Sequence, residues 1–465
     1  MNIIHWVDDM AREVEAAGAR LSESMFDPVI RLGVTGLARA GKTVFITSLV
    51  ANLLDRGRMT GLGAERDGRI EAAFLRPQPD DTVPRFPFET NIAALTGDAP
   101  HWPEPTASIS ELRLSFRLRP RGLLGAVQGA RRLHLDIVDY PGEWLLDLAL
   151  LDQSYDDWSA QVLDRLATRD EAQAYLAAIA DIDPSAPHDD AQAAALAEIF
   201  AAYLHAAKDA GYTDCTPGRM LLPGDLAGSP VVSLAPLPPG HSRARGTLGA
   251  EMARRFVAYK RKVIRPFFRD HFARIDRQVV LVDALGALAK GPAALADVET
   301  AMAGVLGAFR PGRSARLSRL LGRRRVDRIL FAATKADHLH HSQHDKLATL
   351  MQVLTRQARD RAAFSGARTE ALALAALRST TETTRMQDGV ELGFIQGRRI
   401  GCDRPVAYHP GELPTDPARL LKSGTDWPEI APLAFAPAPL SLAPGDGPPH
   451  IRLDRAAEFL LGDRL

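Results

Sequence analysis

Apolar residues at Ile3, Val7, Met10, Val14 and Leu21 recur at helical spacing, so residues 3–25 read as an amphipathic helix at the head of the chain. The period then changes. Ile30 to Thr35 is a short β-rich run that meets a glycine turn, and Lys42 to Leu54 returns to a helical pattern. Residues 57–105 are rich in Gly, Pro and Asp, with Pro77, Pro79, Pro84 and Pro87 closely placed, which predicts extended loops in preference to regular elements. Ile109 to Leu118 alternates apolar and polar residues, and Leu133 to Val138 is a second strand-like run.

From about Leu148 to Arg274 the pattern is helical; the Ala-rich stretch 191–207 carries Leu196, Ile199, Phe200 and Leu204 on one face. Strand signal returns at Gln278 to Ala284 (QVVLVDA), at Arg328 to Ala333 and at Ala371 to Ala376, with a helix expected over Ala293 to Phe309. Strands alternating with helices imply a parallel sheet covered on both faces. The remainder, 386–450, is Pro/Gly-rich with hairpin strands expected around Val390 to Phe394 and Arg398 to Tyr408, then a last helix at Asp454 to Leu461. The expected division is an N-terminal helix (1–27), a first nucleotide-domain segment (28–147), an inserted helical domain (148–275), a second nucleotide-domain segment (276–385) and a Pro/Gly-rich region (386–465).

Composition narrows the class. The 465 residues are 46% hydrophobic and 25% charged, which excludes disordered and fibrous readings. Lys+Arg (57) equals Asp+Glu (57), so no global field draws the molecule to nucleic acid or anionic lipid. Cys215 and Cys402 stand far apart without metal-ligand spacing, which fits a reducing, cytoplasmic compartment. Asp8, Asp9, Glu13 and Glu15 follow the first residues too closely for a signal or transit peptide, and no uncharged apolar run reaches about 18 residues.

The chemistry concentrates in three places. Gly36 to Thr43 reads GLARAGKT, a full GxxxxGK[ST] match between an expected strand and an expected helix. Glycines let the backbone wrap phosphate: amides from Arg39, Ala40, Gly41, Lys42, Thr43 and Val44 would point inward, Lys42 would reach the β/γ oxygens, and Thr43 Oγ1 would ligate Mg²⁺. Only eight of the 57 basic residues are lysine, so a lysine at this position carries weight. Downstream, an apolar strand ends in Asp139-Tyr140-Pro141-Gly142, a DxxG in which Asp139 can hold Mg²⁺ and the Gly142 amide can sense a γ-phosphate; Asp136 competes as the metal candidate. A third strand ends in Thr334-Lys335-Ala336-Asp337, where the Asp337 carboxylate can accept two hydrogen bonds from guanine N1–H and the exocyclic amine while the Lys335 stem lies along the ring.

The order GLARAGKT, DYPGE, TKAD is similar to Ras-like GTPases, and the longer strings DIVDYPGEWLLDL, RPFFRDHFARIDRQVVLVDALGAL and ATKADHLHH resemble the YcjX-like stress-protein family of P-loop GTPases over nearly the whole chain. The resemblance implies an α/β Ras-like P-loop NTPase domain with a mostly parallel sheet and an added helical lobe, GTP/GDP and Mg²⁺ as ligands, and induction under stress. Two departures stand out. Thr334 replaces the more usual asparagine, and Glu143 occupies the place where Ras-like proteins commonly carry a glutamine that orients the attacking water. Glu143 is therefore the catalytic candidate beside Lys42, as a base or as a brake that repels the γ-phosphate and slows turnover. Thr106 is the expected switch hydroxyl, a third metal ligand, with Thr82, Thr90 and Ser108 competing; the guanine O6 amide is expected near Ala376 and Leu377.

Some 192 positions separate Gly142 from Thr334, so something folded is inserted there. It could supply a cation in cis, with Lys260, Arg261, Lys262, Arg265 and Arg269 as candidates against the plainer reading of a solvated helix face. The Arg310 to Arg328 cluster, interleaved with Leu317, Leu320 and Leu321, fits a surface loop or peripheral contact with anionic lipid at the inner face of a membrane; without interleaved aromatics it is a weak nucleic-acid site. The leading reading is a slow, Mg²⁺-dependent GTPase switch with a protein partner for its GTP state. An ATPase and a GTP-stabilised scaffold with negligible turnover are the alternatives.

Overall fold

A computed structural model describes residues 27–37, 39–104, 108–120, 130–238, 244–307, 326–364, 366–387, 389–402, 404–421 and 427–465. The expected leading helix, Thr106 and the Arg310 to Arg325 part of the arginine cluster lie outside the described residues.

Seven strands form one sheet in the order β2-β3-β4-β1-β5-β6-β7: β1 (Val29–Gly36), β2 (Ile70–Arg76), β3 (Ser110–Leu118), β4 (Arg131–Asp139), β5 (Arg277–Val282), β6 (Arg328–Ala333) and β7 (Arg368–Ala373). Strands β4-β1-β5-β6-β7 run parallel, whereas β2 and β3 attach antiparallel at one edge. The parallel strands alternate between two cores: Leu330 and Ala332 of β6 face one, Ile329, Phe331 and Ala333 the other. Burial on both faces explains why β5 and β6 read as continuous apolar runs and not as alternating patterns.

Helix α1 (Lys42–Leu54) and α2 (Phe88–Thr96) cover one face. Between β4 and β5 the regular elements among the described residues are all helical, including α3 (Gly142–Leu146), α4 (Tyr155–Leu166), α5 (Asp190–Ala210) and α6 (Leu248–Tyr259). Its apolar residues share one continuous core with the second sheet face, where α7 (Ala284–Lys290), α8 (Pro292–Gly307), α9 (His344–Leu354) and α10 (Arg356–Phe364) also lie. Trp158 stacks on Phe256 at 5.0 Å between ring centres, which joins α4 to α6. The last helix, α11 (Leu453–Leu461), returns to the first face.

Three expectations change. The stretch 57–105, read as loops, contains β2 and α2. The isolated pattern is weak because β2 is an edge strand with mostly half-buried residues. The strand expected at 371–376 is β7, Arg368–Ala373, three residues earlier. The expected hairpin is a three-stranded antiparallel sheet of β8 (Thr381–Gln387), β9 (Val390–Arg398) and β10 (Pro405–Tyr408).

Candidate functional site

The parallel strands end in one row. Val34 stands opposite Asp139, Gly36 opposite Leu281, Val282 opposite Ala333, and Ala333 opposite Ala373. The three motifs therefore leave the sheet side by side at its carboxyl edge, where open α/β sheets bind ligands at the point of reversed strand order.

The GLARAGKT turn needs left-handed backbone twice, at Arg39 (φ 61°) and Gly41 (φ 75°). Gly41 precedes α1 with no side chain capping the helix, and no acidic residue stands in its first turn. That combination leaves a helix N-terminus open to an anion. Lys42 Nζ lies 2.5 Å from Asp139 Oδ1 and donates to the Tyr140 carbonyl at 3.0 Å, so the P-loop lysine and the DxxG aspartate face one another. Thr43 is buried in the first turn and Asp139 fully buried, a hydroxyl and a carboxylate suited to a hard divalent cation. The competing Asp136 is taken: Arg113 clamps it with two bonds at 2.6 and 2.7 Å, and Arg31 lies 3.9 Å away.

Gly142 is a glycine of necessity. A Cβ there would stand 2.0 Å from the Gly36 carbonyl oxygen, so the DxxG turn rests directly on the P-loop backbone. Its neighbour Glu143 does not point into free solvent; its Oε1 is 2.7 Å from Lys208 Nζ, at the carboxyl end of α5. The same turn is fastened to the helical segment in other places. Gly218 packs so closely that a Cβ would lie 2.3 Å from the Glu143 carbonyl, Arg219 stacks on the Trp144 ring at 3.3 Å, and Asp147 accepts from Gly218 N (2.7 Å) and Tyr259 Oη (2.5 Å). Burial pushes the Asp147 carboxyl up to about 7, against the lowering effect of those bonds.

At the TKAD turn, Lys335 is left-handed (φ 60°) and its Nζ meets Asp283 Oδ2 at 2.5 Å; Asp283 in turn caps α7 through Gly286 N. Asp337 is 3% exposed. Its Oδ2 accepts from Ser379 N (2.9 Å) and Ser379 Oγ (2.6 Å), and its carbonyl accepts from Thr380 Oγ1, so the carboxylate is held in one orientation. Ser379 and Thr380 are the residues that reach Asp337, while Ala376 packs into the first-face core and Leu377 is also buried. Thr334 donates to the Val282 carbonyl at 3.3 Å.

Between these parts lies a cavity of about 280 Å³ lined by Arg39 of the P-loop, Lys208 of α5, Lys290 of α7, and Lys335 of the TKAD turn with Asp283. Burial first, then the nearby Arg39, lowers the Lys290 pKa against the pull of Asp283. Lys42, Lys208, Lys290 and Lys335 are four of the chain's eight lysines. None of Lys260, Arg261, Lys262, Arg265 and Arg269 lines the cavity; Lys260 donates to the Gln153 carbonyl and Arg269 pairs with Asp270. Among the described residues, the helical segment brings Lys208 to the cavity.

Residues 30–465, which contain every one of these groups, match the YcjX-like family, DUF463. The chain belongs to the YcjX-like family. It is 38% identical over 457 residues to the Ras-like GTPase YcjX of Escherichia coli (strain K12), covering 94% of this chain and 96% of that protein. It is 35% identical over 468 residues to the Ras-like GTPase YcjX of Shewanella oneidensis, covering 94% and 95%. This YcjX-like chain has the α/β architecture of a Ras-like P-loop protein. Two further features bear on the expectations. No helix among the described residues is long and apolar enough to cross a membrane. Arg328, the last of the arginine cluster, turns inward to Asp463 (3.2 Å) and the Phe459 carbonyl.

Sequence reasoning missed Lys208, Lys290, Asp283 and Ser379. The scarcity of lysine was the available signal for the first two; Ser379 lies 42 positions from Asp337 and no spacing rule joins them.

Proposed function

We propose that this chain is a GTP-binding Ras-like switch that hydrolyses GTP slowly with Mg²⁺ and passes the state of its DxxG turn to the helical segment, in the stress-related role its family resemblance implies. The observation that carries the reading is Asp337. Its buried carboxylate is held in one orientation by Ser379 through one oxygen, and a carboxylate so fixed would accept from a base that offers two adjacent N–H donors, which guanine does and adenine does not. The names of the relatives support the same ligand class.

Phosphate would lie on the amides of the Gly36–Val44 turn with Lys42 as its counter-charge. Thr43 and Asp139 would hold the cation, which neutralises developing charge on the transferred group when bound. Lys42 then exchanges Asp139 for phosphate oxygen. Lys208 holds the Glu143 carboxylate at 2.7 Å and offsets its charge beside a γ-phosphate. Because Gly142 rests on Gly36 while Trp144 and Asp147 are tied to the helical segment, displacement of the turn moves that segment with it.

Asp337→Asn tests base reading directly: the amide offers a donor where the carboxylate only accepts, so preference passes from GTP to XTP. An unchanged preference for GTP removes the base-reading role of Asp337. The Glu143–Lys208 ion pair also favours a second reading, a GTP-stabilised scaffold whose Glu143 is restrained from chemistry. Single-turnover hydrolysis separates the two: Glu143→Gln lowers the rate in the switch reading and leaves a negligible rate unchanged or raised in the scaffold reading.

A further inference from the structure

Past Asp337 the chain runs His338-Leu339-His340-His341 into a single helical turn and α9, and two of these imidazoles converge with a carboxylate that plays no part in the nucleotide reading. His340, His341 and Glu382 offer donor atoms that all lie within 4.8 Å of one another. His341 Nδ1 is 2.5 Å from Glu382 Oε2, and His340 Nε2 is 3.9 Å from the same oxygen. A His–Glu hydrogen bond accounts for the first contact; at 3.9 Å His340 Nε2 faces the same oxygen from beyond hydrogen-bond reach.

The surroundings fix each donor. The other carboxylate oxygen of Glu382 accepts from Arg378 Nη2 at 3.0 Å, and Arg378 Nε donates to the Thr380 carbonyl, so Oε2 is turned toward the imidazoles, where it also accepts from His341 N at 3.3 Å. His340 Nδ1 accepts from Ser342 N at 3.4 Å and lies 2.9 Å from Ser342 Oγ, so Ser342 fixes the ring with its Nε2 edge toward Glu382. The His340 ring is lodged against β9, where a Cβ on Gly393 would come 2.5 Å from its Cγ. His341 keeps 70% of its side chain exposed, which provides an entry path. Ligands about 2.0–2.2 Å from a tetrahedral ion stand about 3.3–3.5 Å apart, so the shorter contact must open by less than about 1 Å and the longer close by about half that.

We propose that His340, His341 and Glu382 form a binding site for one divalent first-row transition ion of the zinc or cobalt class, with water completing its coordination. Two imidazoles and one carboxylate suit such ions over Mg²⁺, and the bonds from Arg378 and Ser342 orient the ligands. None of the three donors is shared with the nucleotide reading, so the site stands or falls apart from it. An ion there ties the turn after Asp337 to the start of β8, three residues beyond Ser379.

The test is calorimetric titration of the nucleotide-free full chain with Zn²⁺ in excess Mg²⁺, paired with the visible absorption of the Co²⁺ form and with thermal melting. One equivalent binds at micromolar affinity or tighter, Co²⁺ gives ligand-field bands, and the melting temperature rises. His341→Ala and Glu382→Gln each weaken binding by about tenfold or more and remove the thermal gain. Cys402→Ser, which deletes the exposed thiol, leaves all three readings in place. The proposal is overturned by absence of stoichiometric binding, by affinity unchanged in both His341→Ala and Glu382→Gln, or by loss of binding in Cys402→Ser. His341→Ala alters an exposed side chain, so a folding defect in Glu382→Gln does not shelter the proposal.

Discussion

Adding one methyl group at Gly142 is the most revealing single change in this fold. The new Cβ of Gly142→Ala would lie 2.0 Å from the Gly36 carbonyl oxygen, 2.8 Å from its carbon and 3.4 Å from Thr35 Oγ1. Two of those atoms are backbone, so no side chain can swing away. A comfortable carbon–oxygen contact is about 3.3 Å, which means the DxxG turn and the P-loop must separate by about 1.3 Å. The P-loop is anchored by Leu37 N to the Leu281 carbonyl and by Ala40 N to the Leu37 carbonyl, both at 3.0 Å. The turn is anchored by Asp147 and Trp144 to the helical segment. Overpacking of this kind costs about 1–3 kcal/mol, and a displacement of this size at a phosphate-positioning loop weakens productive binding by about a hundredfold. Denaturant unfolding and GDP calorimetry read the two effects. Gly304→Ala in α8 is the control: its new Cβ meets nothing closer than Ala149 Cβ at 3.8 Å, so stability holds or rises by up to about 1 kcal/mol. Stability and GDP affinity at wild-type values in Gly142→Ala would refute the claim that the two motifs share a backbone contact.

Three further outcomes follow from the same contacts. Lys208→Met leaves the half-buried Glu143 carboxylate without its 2.7 Å partner, lowering stability by about 1–2 kcal/mol and weakening GTP more than GDP, because the uncompensated carboxylate repels the extra phosphate; an equal loss for both nucleotides in calorimetry argues against Glu143 lying near the γ-phosphate. Burial first, then repulsion from Asp136 with a smaller push from Asp80, raises the Glu111 carboxyl to about 7 against the pull of Arg31 and Arg113. Above the unfolded value near 4.5 the unfolded chain releases a proton that the folded chain keeps, so this group's contribution to stability falls as pH rises toward 7. Glu111→Gln gains on the wild type by about 2 kcal/mol between pH 5 and pH 8 in urea unfolding, and a constant difference across that range contradicts the assignment. Thr43→Ala reduces the Mg²⁺ dependence of GTP affinity while the fold, followed by circular dichroism, stays intact; unaltered Mg²⁺ dependence removes Thr43 from the cation site.

What was legible in the chain was what is local. The strand β1, the turn and α1 are adjacent in sequence, and the expected Lys42 to Leu54 helix coincides with the observed one. Strand β6 announces itself because burial on both faces makes it a continuous apolar run just before Thr334, and β4 through Leu133, Leu135, Ile137 and Val138 ahead of Asp139. Edge strand β2 has half-buried residues and a neighbourhood of prolines, so its pattern carries little signal. Helices α9 and α10 drew no reading at all, although Leu347, Leu350, Met351 and Leu354 lie buried on one face of α9. The pairings that complete the site are long-range: Glu143 with Lys208, Asp337 with Ser379, Lys335 with Asp283. Each depends on how strands are ordered in the sheet, and strand order is not written at any single position.

Whether the carboxyl edge of this sheet is a guanine-nucleotide site is decided by calorimetric titration of the full chain with GDP, a non-hydrolysable GTP analogue, ADP and an ATP analogue in the presence of Mg²⁺, repeated on Lys42→Ala. The expected result is one equivalent of either guanine nucleotide, none of either adenine nucleotide, and loss of binding in Lys42→Ala. Equal binding of adenine nucleotides, no nucleotide binding, or binding unchanged by Lys42→Ala would contradict it.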